Sequence, residues 1–187
     1  MRKQPQITER TRQLFIETFW LLFKDNAIEQ IKIGELSTKA GYNRSTFYKY
    51  FTDIYDLLHQ AEDELINDFK NNAAAKFPDG IKNVSYKNII RALVELFNLL
   101  GEKIFLLIGE KGDPSFQNKL RLQVTPFLQL MMGQDLGKYA EYVTSFSFSG
   151  AIGILKFWHE NEEKLSQEEL VSLLVSLLTK GIWDLEG

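Results

Sequence analysis

The chain of 187 residues is 44% hydrophobic and 25% charged with 12 Gly and 4 Pro, which excludes a disordered tail or a fibre and leaves one or two globular domains. It has no Cys, which rules out disulfide scaffolds, thiolate metal sites and cysteine nucleophiles, and its two histidines, His59 and His159, offer little material for a histidine-based metal site or catalytic triad. The net charge of −3 is unevenly divided: residues 1–52 hold 9 Lys and Arg against 5 Asp and Glu, residues 53–187 hold 13 against 20, and a polyanion would dock on the basic N-terminal quarter.

The basic start, Met1-Arg2-Lys3, is followed by an apolar run that Glu17 and Thr18 interrupt, which does not read as a signal peptide. The longest uncharged stretch, Tyr142 to Leu155, is shorter than the ~18 apolar residues of a membrane span. A cytoplasmic protein without a membrane partner, cofactor or enzymatic activity is expected.

Apolar residues recur at helical spacing and no segment alternates as strands do, so the expected fold class is all-α. The first helix is expected from Thr8 to Asp25, burying Phe15, Phe19, Leu22 and Phe23. A short second helix runs from Ile33 to Ala40 and is closed by Gly41, and a third follows the N-cap Asn43 to Phe51. Thr52-Asp53 begins a long fourth helix, Ile54 to Lys76, which Phe77-Pro78-Asp79-Gly80 ends. Four more helices are expected at Tyr86 to Glu110, Pro114 to Met132, Leu136 to Asn161 and Gln167 to Asp184, the last opened by a Ser166 to Glu169 capping box. The expected domains are residues 1–52, a three-helix unit, and residues 53–187, a helical regulatory and dimerisation unit.

Two short helices joined by a glycine turn behind a longer one fit a helix-turn-helix, whose second helix enters the DNA major groove. Phe47 and Phe51 share the buried face of the third helix, while Ser45, Thr46 and Lys49 point outward, flanked by Tyr48 and Tyr50, with Arg44 in the first turn. Arg pairs bidentately with guanine, Ser and Thr bond bases or phosphates, and a Tyr hydroxyl reaches phosphate. Lys49 adds salt-sensitive attraction.

The run Ile33-Gly34-Glu35-Leu36-Ser37-Thr38-Lys39-Ala40-Gly41-Tyr42-Asn43-Arg44-Ser45-Thr46-Phe47-Tyr48-Lys49-Tyr50-Phe51, with Phe23 before it and Leu57-Leu58 after it, closely resembles the DNA-binding domain of the tetracycline-repressor (TetR) family. The resemblance implies DNA contacts by Arg44, Ser45, Thr46, Tyr48, Lys49 and Tyr50, with Tyr48 on a phosphate. Four positions depart from the family pattern. Lys32 replaces a capping Thr and offers a phosphate contact instead, Gly34 replaces a longer side chain, Tyr42 a small aliphatic, and Ile54 a phosphate-gripping Lys.

The resemblance further implies a homodimer on a palindromic double-stranded operator, paired through its last two helices, and a small-molecule effector in the C-terminal domain. The residues agree in part. Ser145, Ser149 and Gly153 lay a small-residue stripe along the penultimate helix, and the last helix is apolar on more than one side, through Leu170, Leu174, Leu177, Leu178 and Ile182. The segment from Phe146 through Trp158 to Gly181 also resembles a C-terminal domain shared by activators and repressors. Candidate ligand contacts are Glu102, Phe105, Arg121, Tyr142 and Phe146, with Arg121 suited to an anion. Gly109-Glu110-Lys111-Gly112 lacks the spacing of a phosphate-binding loop. The reading is a transcriptional repressor released by ligand. The alternatives are an activator of the same family and a protein-interaction module whose helix-turn-helix has lost DNA binding, for which Gly34 and Ile54 speak.

Overall fold

The computed structural model describes residues 5–81, 84–132, 137–161 and 165–180, with side chains from Thr8 onward. Among them are eight α-helices and no strand: α1 (Pro5–Phe23), α2 (Ile33–Lys39), α3 (Arg44–Phe47), α4 (Ile54–Lys76), α5 (Tyr86–Ile108), α6 (Phe116–Met132), α7 (Ala140–Glu160) and α8 (Gln167–Thr179). Single 3₁₀ turns at Ile28–Gln30 and Gly137–Tyr139 were not anticipated. The expected extension of α8 to Asp184 and the expected start of α7 at Leu136 lie outside the described residues.

Local chemistry sets most of the helix ends. Gly41, at φ +80°, takes the left-handed conformation after α2; its N–H donates to Thr38 O at 3.1 Å and that of Tyr42 to Ser37 O at 2.9 Å, so the last α2 carbonyls are satisfied. Asp53 caps α4 by accepting from Asp56 N at 2.8 Å, and the Asp56 carboxylate reaches back to Thr52 N at 2.7 Å. Ser166 and Glu169 form the expected capping box, Glu169 accepting from Ser166 N at 2.8 Å. α6 starts at Phe116 rather than Pro114, because Asp113 turns its carboxylate onto Ser115, accepting from N at 2.8 Å and from Oγ at 2.6 Å.

The third helix is shorter than its sequence pattern implies. Regular α geometry ends at Phe47, and Tyr48 to Tyr50 continue as tight turns, with Lys49 N donating to Thr46 O at 3.2 Å and Tyr50 N to Phe47 O at 2.9 Å. Phe51 is still carried into the core.

The α1–α3 core is aromatic. Phe15 meets Phe47 edge-on at 5.6 Å and Phe51 at 6.1 Å, and Phe19 stacks on Phe23 at 5.1 Å. Phe47→Ala would cost about 3–5 kcal/mol at such a site. The same buried cluster continues through Leu57, Leu58, Ala61 and Leu65 of α4 into Leu96, Leu100 and Phe105 of α5 and Phe148 and Ile152 of α7. α4 therefore belongs to both halves of the molecule. A second cluster, Phe77, Ile81, Ile90, Met131, Val171 and Val175, gathers where α4 ends.

Polar contacts fasten α1 at two places. Near its start Arg12 donates to Gln60 Oε1 at 3.0 Å and pairs with Glu64, both on α4. At its end Lys24 pairs with Glu102 at 2.5 Å, and Lys111 Nζ donates to Asp25 O at 3.2 Å, a cation placed where the helix dipole is negative.

Candidate nucleic-acid interface and apolar cavity

The outward face of α3 is organised around its cap. Asn43 Oδ1 accepts from Thr46 N at 2.9 Å, Ser45 Oγ at 2.7 Å and Thr46 Oγ1 at 2.9 Å, so one carbonyl holds both hydroxyls at the helix start. Their lone pairs are left for an outside donor. Arg44, Ser45, Tyr48 and Lys49 are exposed, and Thr46 is half-buried. Arg44 lies along Tyr48, donating to its hydroxyl oxygen from Nη2 at 3.0 Å. Neither Arg44, Lys49 nor Lys32 has a carboxylate partner among the described residues, whereas Lys39 is held by Glu35 at 3.1 Å. Unneutralised cations beside the Tyr48 hydroxyl, which accepts from Arg44 and keeps its own proton to donate, suit a phosphate-bearing partner.

Tyr50 differs from its neighbours: it is half-buried against Phe15, ring centroids 6.3 Å apart, and its carbonyl accepts from Gln60 Nε2 at 3.4 Å. Its body packs α3 to α1 and only its rim is accessible. Tyr42 has a comparable structural use, with its ring 5.5 Å from Phe15 and its hydroxyl 3.2 Å from Thr11 Oγ1. Gly34 sits on the exposed side of α2, with nothing within 4 Å of where a Cβ would stand. Ile54 is half-buried against the core and gives the α4 start no cation.

Below this head α4, α5, α6, α7 and α8 line an apolar cavity of about 210 Å³ that is open on one side. Its wall takes Phe69 from α4, Leu93, Phe97 and Phe105 from α5, Val124 and Leu128 from α6, Phe148 and Ile152 from α7, and Val171, Leu174 and Leu178 from α8. Among the described residues no polar side chain lines it. Of the expected ligand contacts, Phe105 alone is in the wall. Glu102 and Arg121 point elsewhere: Glu102 is exposed on Lys24, and Arg121 donates to Asn118 Oδ1 at 3.0 Å. Tyr142 and Phe146 are 77% and 75% exposed. Polar residues inside apolar runs mark the outer sides of α5 and α6, so an anion-binding Arg121 is not part of this cavity. The actual wall on α5, Leu93, Leu96, Phe97, Leu100 and Ile104, was visible as an apolar stripe indistinguishable in sequence from packed core.

The stripe Ser145, Ser149 and Gly153 is exposed on α7, and Tyr142, Phe146 and Phe157, the last 69% exposed, lie along the same side. On α8 the structure revises the expectation: Leu170 is buried within the subunit, and Leu174 and Leu178 face the cavity, leaving Leu177 half-buried. His159 stacks on Phe105 at 4.3 Å.

At the junction of α4 and the α5–α6 turn, Glu62 is fully buried and burial raises its carboxyl to about 7, against the opposing pull of Lys119, whose Nζ donates to Oε2 at 3.0 Å. Burial also pushes Asp113 up, but hydrogen bonds, chiefly from Ser115 and also from the Glu62 carboxyl, outweigh it and hold that carboxyl below its usual value. Asp56 is likewise lowered, first by the Thr52 amide.

A helix-turn-helix head on a helical body that holds an apolar cavity is the arrangement of a two-part transcriptional regulator. A family model described as a transcriptional regulator C-terminal region matches residues 87–180, half of the chain, and the chain belongs to the TetR family of transcriptional regulators. No curated protein matches it by sequence. Solved structures share the fold. A TetR regulator from Streptococcus agalactiae is 20% identical, with a TM-score of 0.67 over 94% of this chain and 97% of that one. The fatty acid degradation regulator FadR of Bacillus halodurans is 14% identical, with a TM-score of 0.69 over 97% and 98%. A TetR-family regulator from Streptomyces coelicolor is 18% identical, with a TM-score of 0.65 over 91% and 79%.

Proposed function

We propose that the chain is a homodimeric repressor that reads a palindromic operator through α3 and leaves it when an apolar small molecule enters the cavity. The observation that carries this reading is the exposed array of Arg44, Ser45, Tyr48 and Lys49, two cations without a carboxylate partner among the described residues and two hydroxyls, on α3 and the turns that continue it. Arg44 reads a base edge, Tyr48, Lys49 and Lys32 hold phosphates, and Ser45 and Thr46 contact whichever group the groove presents. Tyr50 adds a rim contact. Residues 1–52 form the reading head and residues 53–187 the sensing and dimerising body, with α4 in the cores of both.

The partner subunit packs on the α7 stripe, where Ser145, Ser149 and Gly153 admit a close helix and Tyr142, Phe146 and Phe157 supply area. An aliphatic or aromatic effector suits the cavity, because a charged group would enter without a partner. Phe69 in the cavity wall and Leu57 and Leu58 under the head lie on the same helix. An effector displacing Phe69 thus moves the base of the reading head and alters the spacing of the two α3 helices across the dimer. The protein then acts by occupancy of DNA, not by chemistry, and belongs in the cytoplasm. Binding of the full chain to a mixed-sequence duplex at low salt, compared with the Arg44→Ala, Lys49→Ala double variant, tests the assignment. Loss of binding in the variant supports it, and equal binding places the DNA elsewhere.

A further inference from the structure

His59 and Glu62 stand three residues apart on one side of α4, and Asp113 comes from the turn before α6. One ligand atom from each lies within 4.8 Å of the other two. Nothing in the DNA-reading or effector mechanism uses this cluster. Glu62 is 0% exposed, and Lys119 takes its Oε2, but Oε1 is buried and accepts no hydrogen bond. A buried carboxylate oxygen without a donor is costly, and it is the oxygen free for a cation. Lys119 also serves Asp63 at 3.0 Å, so two carboxylates, Glu62 and Asp63, share one ammonium, and Asp113 adds a third negative charge beside Glu62.

We propose that His59, Glu62 and Asp113 bind one divalent transition-metal ion of the zinc type, which ties α4 to the α5–α6 turn. An imidazole nitrogen with two carboxylate oxygens is a borderline donor set that suits zinc better than magnesium or calcium. Zinc bonds of about 2.0–2.2 Å require ligand atoms about 3.4 Å apart. Glu62 is fixed by packing, while His59 is exposed and Asp113 sits on a turn, so the two movable ligands close on the buried one. The Ser115 amide and hydroxyl orient the Asp113 carboxylate and leave each oxygen a lone pair, the support that metal ligands ordinarily receive. The exposed side at His59 admits the ion and leaves a position for water.

The test is titration of chelator-treated full-length protein with zinc chloride, read by calorimetry and by the imidazole resonances of the two histidines. One saturable zinc per chain, shifting His59 and leaving His159 in place, is expected, with affinity lowered at least about tenfold in His59→Ala and in Asp113→Asn. Both replacements are at positions not buried in the core, and circular dichroism verifies their folding. Absence of saturable binding, equal affinity in the variants, or a response at His159 instead would overturn the site.

Discussion

The guanidinium of Arg44 donates to the hydroxyl oxygen of Tyr48 from Nη2 at 3.0 Å and Nε at 3.3 Å, and its Cζ lies 5.6 Å from the ring centroid. The two residues assigned different tasks on DNA are thus coupled before DNA arrives. Arg44→Ala should remove about 1–3 kcal/mol of discrimination at one base pair. Tyr48→Phe should weaken all duplexes alike by about 1 kcal/mol. Affinities over a set of single-base operator variants, including the double replacement, check both, and the combined loss should differ from the sum because the side chains touch.

Lys49 is exposed and has no carboxylate partner among the described residues, the arrangement of a phosphate contact. Lys49→Ala should reduce the slope of log affinity against log salt by about 1, with base preference unchanged. A titration between low and moderate salt measures it.

Ala151 is in the cavity wall, so Ala151→Trp fills the space that an effector would take. Nile red fluorescence should rise with the native protein and not with the variant, at a stability cost of about 1–3 kcal/mol for overpacking. DNA binding should persist and lose its response to apolar effectors.

The α7 stripe gives a further expectation. Phe146 is 75% exposed and Phe157 69% exposed, so charging them does not disturb the core of a subunit. Phe146→Asp with Phe157→Asp should convert a dimer to folded monomer in sedimentation velocity.

Glu62 links stability to pH. Burial holds its folded carboxyl up at about 7, against an ordinary value of 4.5, so the folded state holds the proton more tightly. Stability from this group is greatest near the lower value and falls as pH rises through the upper one, by up to about 3 kcal/mol. Lys119, Asp63, Asp113 and His59 surround it, and the lowered carboxyls of Asp113 and Asp56 act in the opposite sense only in stronger acid. Urea unfolding at pH 5.5 and 7.5 should show the fall in the native protein and a flatter profile in Glu62→Gln.

Much of this molecule is legible in its sequence where local chemistry decides. The α4 ends at Ile54 and Lys76 follow from the Asp53 cap and the Phe77-Pro78 break, and the α2 end from Gly41. Phe47 and Phe51 fix the phase of the segment from Arg44 to Phe51, but not its break into turns after Phe47 or the half-burial of Tyr50. What was not readable depends on which helix faces which. A Leu93 or Phe97 looks the same in a core as in a cavity wall, Leu170 and Leu174 on an all-round apolar helix do not announce their neighbours, and Glu102 and Arg121 looked inward only because apolar residues flank them. The Glu62 cluster joins α4, the α5–α6 turn and α6, a proximity that only the tertiary fold creates.

Selection of bound duplexes from a random DNA pool by the full-length protein, at a stated moderate salt concentration, addresses sequence-specific binding by a dimer most directly. Enrichment of a palindrome with half-sites about one helical turn apart is the predicted result. A folded dimer that enriches no sequence, at low salt as well, would contradict it and make the helix-turn-helix a protein-docking surface.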